Sequence, residues 1–139
     1  MQITASLEEI GSVASYILDT IPNNAIIFLS GDLASGKTTL TKSIAKLRGF
    51  DGEVTSPTFT LQHCYGDDTY HYDLYRIEFD EFVSIGLFEE LDREGWHLIE
   101  WGKDRLKSAL LSMGYSCYEV TIDTTEPSSR VYDIRELDE

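Results

Sequence analysis

The sequence is short of cysteine, of positive charge and of long apolar runs, and each shortage narrows what the chain can be. Its two cysteines, Cys64 and Cys117, lie far apart, form no C-x-x-C pair and have no histidine cluster beside them. They read as reduced thiols in or near a core, with a disulfide or metal site as the less favoured reading, and a cytoplasmic location fits. No stretch approaches the roughly 18 consecutive apolar residues of a membrane-spanning helix, so no membrane contact is expected. Met1-Gln2-Ile3-Thr4 has neither a basic nor an apolar signal region, and no secretory signal is expected there. Lys and Arg number 11 against 25 Asp and Glu, a formal net charge of −14. Phosphates would be repelled on average, which argues against nucleic-acid binding by the isolated chain.

No internal repeat, low-complexity segment or linker divides the 139 residues, so one domain over residues 1–139 is expected. A hydrophobic share of 42% is enough to fill its core. Charge is unevenly spread. Lys37, Lys42, Lys46 and Arg48 cluster, whereas Glu78, Asp80, Glu81, Glu89, Glu90, Asp92 and Glu94 face only Arg93 in their segment. That acidic stretch is either a solvated helix face with its loop or a docking surface for a basic partner.

Hydrophobic spacing predicts the elements. Ser6-Leu7-Glu8-Glu9 is a capping-box signature, and Leu7, Ile10, Ala14, Ile17, Leu18 and Ile21 recur behind it at helical spacing until Pro22-Asn23-Asn24. Ala25 to Leu29 is an unbroken apolar run that suits a fully buried strand. A helix is expected from Lys37 to about Leu47, with Gly49 as its C-cap. Thr58 to Tyr65 and Thr69 to Ile77 read as a hairpin around Gly66-Asp67-Asp68. Asp80 to Leu91 and Asp104 to Leu111 read as helices; Trp96 to Trp101, Tyr118 to Ile122 and Arg130 to Ile134 read as strands. The sum is an α/β fold with a mixed, mostly parallel central sheet flanked by helices.

Gly31-Asp32-Leu33-Ala34-Ser35-Gly36-Lys37-Thr38 matches G-x-x-x-x-G-K-[ST], the P-loop, placed between a buried strand and a helix as the motif requires. Glycines let the backbone N–H groups curve around a phosphate, and the helix points its positive end at the anion. Lys37 can reach the β- and γ-phosphates, and the Thr38 hydroxyl can ligate Mg²⁺. A P-loop also needs an acid at the end of a neighbouring strand to hold Mg²⁺ or water. Glu100, closing His97-Leu98-Ile99-Glu100, is the first candidate, and Asp73 is the second. A GTPase is unsupported, because N-K-x-D is absent and Asp92-Arg93-Glu94-Gly95 closes no strand. A small-molecule kinase would need several phosphate-clamping arginines, and Gly49 to Asp92 holds only Arg76. The kinase reading is weakened but stays open, as does a non-catalytic ATP-dependent assembly switch.

Thr38-Thr39-Leu40, Ser56-Pro57-Thr58-Phe59, His71-x-Asp73-Leu74-Tyr75-Arg76 and Ile99-Glu100-Trp101 follow one another as they do in the TsaE (YjeE) family of small bacterial P-loop ATPases. The chain resembles that family from about Asn24 to Lys103. The resemblance implies an ATP-binding and hydrolysing subunit, weak alone, for making threonylcarbamoyladenosine in tRNA with TsaD and TsaB homologues. Contact with tRNA would come only through that complex. It further implies that Lys37, Thr38 and Thr39 hold phosphate and Mg²⁺, with Glu100 and Asp73 as the metal and water acids. Thr58 would lie on a switch-like segment near the γ-phosphate and Trp101 beside the nucleotide. His71 and Arg76 would orient that loop or meet the partner. Two departures stand out. Ala34-Ser35 replaces the family's common Gly-Ala, from which altered affinity is expected. Gly102 replaces a Pro, from which a looser loop behind Glu100 is expected.

Overall fold

The computed structural model describes residues 1–32, 36–50, 52, 61–66, 68–124 and 128–138. In chain order these form β1 (Gln2–Ala5), a 3-10 turn (Leu7–Glu9), α1 (Ile10–Thr20), β2 (Ala25–Ser30), α2 (Lys37–Leu47), β3 (Gln62–Cys64) and β4 (Thr69–Asp73). There follow α3 (Phe79–Ser84), α4 (Leu87–Leu91), β5 (Trp96–Glu100), α5 (Asp104–Ser112), β6 (Cys117–Asp123) and β7 (Arg130–Glu136).

The strands make one sheet in the order β1-β7-β6-β2-β5-β4-β3. The four central strands β6, β2, β5 and β4 are mutually parallel. β7 and β3 run against them, and β1, antiparallel to β7, runs with them. Five of the seven strands therefore point one way, which is the expected mixed, mostly parallel sheet.

The apolar run of β2 is unbroken because helices cover both faces of the sheet. Ile27 and Leu29 pack with Val13, Ala14 and Ile17 of α1 and Leu40 and Ile44 of α2. Ile26 and Phe28, pointing the other way, pack with Phe82, Leu87, Leu91, Leu106 and Leu110 of α3, α4 and α5. Strand alternation carries this division across the sheet. On β5, Trp96 and Leu98 join the α1/α2 face and Ile99 the opposite one.

Several expectations are corrected. β1 has no counterpart among the predicted strands. The first helix starts as a 3-10 turn whose Glu9 carboxylate accepts from the Ser6 N–H at 2.9 Å; Leu7 is 59% exposed, and Val13 takes a core place instead. The single helix expected from Asp80 to Leu91 is two, because Gly86 sits in the left-handed region at φ 82° and breaks the run. The strand expected to reach Ile77 stops at Asp73, whose carboxylate accepts the Tyr75 N–H at 3.0 Å and turns the chain. Of the strand expected over Thr58 to Tyr65, β3 covers Gln62–Cys64, and residues 58–60 lie outside the described residues. Cys64 and Cys117 are both free thiols. Among the described residues no helix is long and apolar enough to cross a membrane.

Candidate functional site

Three parallel strands end side by side. Leu29 of β2 pairs with Glu100 of β5, and Glu100 pairs with Asp73 of β4. Register partners on parallel strands share a face, so the two acids stand together at the carboxyl edge of the sheet, where ligands of open α/β sheets bind. Beside them β2 ends at Ser30 and runs into Gly31, and the chain re-enters a helix at Lys37. Gly36, the residue before α2, has φ 99° and ψ 22°, a conformation that favours glycine. Thr38 and Thr39, half-buried, lie in the first turn of α2.

Lys37 is the charged centre. Only 4% exposed, its Nζ donates to the carbonyls of Gly31 at 2.6 Å and Asp32 at 3.0 Å. The same ammonium lies 4.2 Å from the centre of the Trp101 ring, a cation–π contact. Burial pulls its pKa below the ordinary lysine value, and the charges of Glu100, Asp32 and Asp73 oppose that pull without cancelling it. Trp101 holds φ 62°, unusual for a residue with a side chain. Its ring meets Tyr75 edge-on at 4.9 Å. The next residue departs from the expected looseness. A Cβ on Gly102 would come within 2.4 Å of the Phe28 ring, so the chain here is closely packed.

Glu100 is 4% exposed and His71 is fully buried. His71 Nε2 lies 2.5 Å from Glu100 Oε2, and Nδ1 lies 3.1 Å from the Tyr65 hydroxyl. A carboxylate accepts, so Nε2 carries a proton, and the Tyr65 hydroxyl is the partner of the other ring nitrogen. Burial, with the Glu100 charge adding to it, pushes the Tyr65 hydroxyl up to about 12, so it stays protonated. Arg76 is exposed.

The structure thus brings Gly31, Asp32, Gly36, Lys37, Thr38, Thr39, Asp73, Glu100 and Trp101 to one edge of the sheet. Leu33, Ala34, Ser35 and Thr58 lie outside the described residues. Sequence reasoning missed Tyr65, whose role depends on the β3–β4 turn folding it back over His71. It also missed Glu119 on β6, which accepts from Ser30 Oγ (2.9 Å), Lys107 (2.6 Å) and Arg135 (2.9 Å) and so anchors the residue before Gly31. A carboxylate among the alternating residues of a strand was the available signal.

Among the described residues no three His, Cys, Asp or Glu gather as a metal-ligand cluster. Magnesium at a P-loop does not need one, because one or two carboxylates suffice beside phosphate oxygens and water. The paired acids and the hydroxyl of Thr38 fit that donor set, and the helix start suits the phosphate whose oxygens would complete it.

The family model described as "Threonylcarbamoyl adenosine biosynthesis protein TsaE" matches residues 4–132. The chain belongs to the TsaE family. The tRNA threonylcarbamoyladenosine biosynthesis protein TsaE of Bacillus subtilis is 39% identical over 101 residues, covering 70% of this chain and 63% of its own length. Its TsaE counterpart in Haemophilus influenzae is 39% identical over 82 residues, 56% of this chain and 52% of its own. That of Treponema pallidum is 38% identical over 103 residues, 72% of this chain and 73% of its own. The chain therefore spans less than two thirds of the first two TsaE relatives. The crystal structure of YdiB from Bacillus subtilis superposes with a TM-score of 0.67 at 27% identity, covering 95% of this chain and 83% of that one.

Proposed function

We propose that this TsaE-family chain binds ATP with Mg²⁺ at the start of α2 and hydrolyses it as a subunit of the machinery making threonylcarbamoyladenosine in tRNA, with TsaD and TsaB homologues as partners. The register row Leu29–Glu100–Asp73 carries this reading. It sets two acids beside the strand that feeds the glycine-rich turn.

Each residue has a part. The N–H groups opening α2 and the positive end of its dipole favour an anion there. Lys37 would exchange its loop carbonyls for phosphate oxygens, a stronger, charge-assisted bond. Thr38, Glu100 and Asp73 would hold Mg²⁺ and orient the attacking water. The metal, when bound, neutralises charge developing on the transferred phosphoryl group. Trp101, half-buried against Lys37, would cover one side of the bound nucleotide and exclude water.

The chain presents few other cations here. Arg76, the only arginine between Gly49 and Asp92, is exposed. A cation aimed at the γ-phosphate can be worth about 10³–10⁵ in rate and is often supplied by a partner. Slow hydrolysis by the free chain and acceleration by TsaD and TsaB homologues are therefore expected. Steady-state assays with and without the purified partners test this; fast turnover by the free chain, unchanged by them, would defeat the subunit reading. For the binding half, Lys37→Ala should weaken Mg-ATP at least about tenfold in calorimetry, since each charged hydrogen bond is worth roughly 1.5–3 kcal/mol. Unaltered affinity would remove the phosphate site.

A further inference from the structure

We infer that His71, braced by Tyr65, is a positioning residue that fixes the carboxylate of Glu100 for nucleotide hydrolysis. The inference rests on the ATPase reading and deepens it.

A glutamate on a strand has three rotatable bonds, and a carboxylate swinging through them spends little time in one working position. Glu100 is not left to swing. The His71 imidazole donates to Oε2 at 2.5 Å, and the Tyr65 hydroxyl, 3.1 Å from Nδ1, holds the ring from its other side. Tyr65 is held in turn, because its N–H donates to the Thr69 carbonyl at 2.7 Å and its ring packs 5.3 Å from that of Phe50. Beneath it lies Ala45, near the C-terminal end of α2. One helix therefore begins at the phosphate site and, at its other end, supports the residue that braces the acid.

His71 and Asp73 stand two apart on β4 and share a face, and Asp73 is the register partner of Glu100. β4 thus supplies one acid of the pair and the brace for the other, so the spacing of the two is set within a single strand pair. Hydrogen-bond partners behind a metal-binding carboxylate orient it, and losing one costs roughly 10- to 100-fold in metal affinity or activity.

The experiment uses the full chain with purified TsaD and TsaB homologues. It compares wild type, His71→Leu, His71→Gln, Tyr65→Phe, Glu100→Gln and the double variant Glu100→Gln/His71→Leu. Thermal unfolding of each is followed alongside. His71→Leu should lower kcat roughly 10- to 100-fold while the Kd for ATP stays within about twofold, because phosphate is held elsewhere. His71→Gln, which keeps a donor near the Nε2 position, should recover most of the rate, and Tyr65→Phe should lower it about threefold. The double variant should be no slower than Glu100→Gln alone, since His71 acts through that carboxylate. A merely structural histidine would instead give additive losses that track the unfolding midpoint. If His71→Leu does not fold, His71→Gln and Tyr65→Phe decide: wild-type kcat in Tyr65→Phe, or a His71→Gln rate as low as that of Glu100→Gln, overturns the inference. Wild-type turnover in His71→Leu beside a slow Glu100→Gln overturns it alone. Wild-type turnover in Glu100→Gln overturns both this inference and the catalytic role of that acid.

Discussion

The two faces of the β4–β5 pair each bury a histidine in a chain of hydrogen bonds, and the chains end differently. Toward α1 and α2, Tyr65 leads to His71 and His71 to the Glu100 carboxylate. On the opposite face Gln62 donates to the Tyr72 hydroxyl at 3.1 Å, which lies 2.7 Å from His97 Nδ1. His97 Nε2 then donates to the Arg93 carbonyl at 2.8 Å. The second chain closes on backbone and is complete, with the Tyr70 ring stacked on His97 at 4.7 Å. The first closes on a carboxylate whose other oxygen has no hydrogen-bond partner among the described residues. Equal burial of two histidines in one sheet therefore says little; what distinguishes them is the terminal acceptor, a carboxylate in one chain and a backbone carbonyl in the other.

Substitutions can break that contrast. The largest effect belongs to the acid: Glu100→Gln should cut hydrolysis by the assembled complex roughly 10²-fold or more and leave nucleotide affinity less affected, as single-turnover and binding assays would show. A near-wild-type rate would move the chemistry to Asp73. Next comes His97→Leu, which strands the Tyr72 hydroxyl and the Arg93 carbonyl. It should cost about 1–3 kcal/mol in urea unfolding without altering ATP affinity; a loss of affinity would erase the distinction between the faces. His97 also sets a pH signature. Burial holds its pKa below the usual 6.5, so the unfolded chain takes up its proton first. Stability it supports above pH 6.5 should be lost as pH falls through the lower folded value, and His97→Leu should lack that slope.

The smallest effect should come from Glu119→Gln, at about 1 kcal/mol in urea unfolding. Burial pushes the Glu119 carboxyl up, but hydrogen bonds from Lys107, Arg135 and Ser30 outweigh it and hold the pKa below 4.5. Its contribution is present above pH 4.5 and is lost as pH falls through the folded value. The gap between wild type and Glu119→Gln should therefore close on acidification, and a gap independent of pH would mean that packing, not charge, is lost.

Much of this was legible in the sequence. The unbroken run from Ala25 to Leu29 required covering on both faces, and the glycine-rich turn before Lys37 required a strand and a helix around it. Glu100 could be marked because apolar residues precede it. Gly86 was a visible break that the apolar spacing around it obscured, and the four residues of β1 were too short to show a period. The register that sets Asp73 beside Glu100 depends on strand order, which no local pattern encodes. Tyr65 was hidden for the same reason: its value lies in what a turn folds it against.

β5 is laid between β2 and β4, yet it follows both in the chain. Parallel neighbours cannot zip from a tight turn, and distant segments pair slowly because loop closure comes before the contacts that reward it. Trp96 must find Ala25 on one side and Thr69 on the other before Glu100 has a position. The acid row is therefore expected only after both distant pairings have formed, and nucleotide added to a refolding chain should capture finished molecules without speeding their formation.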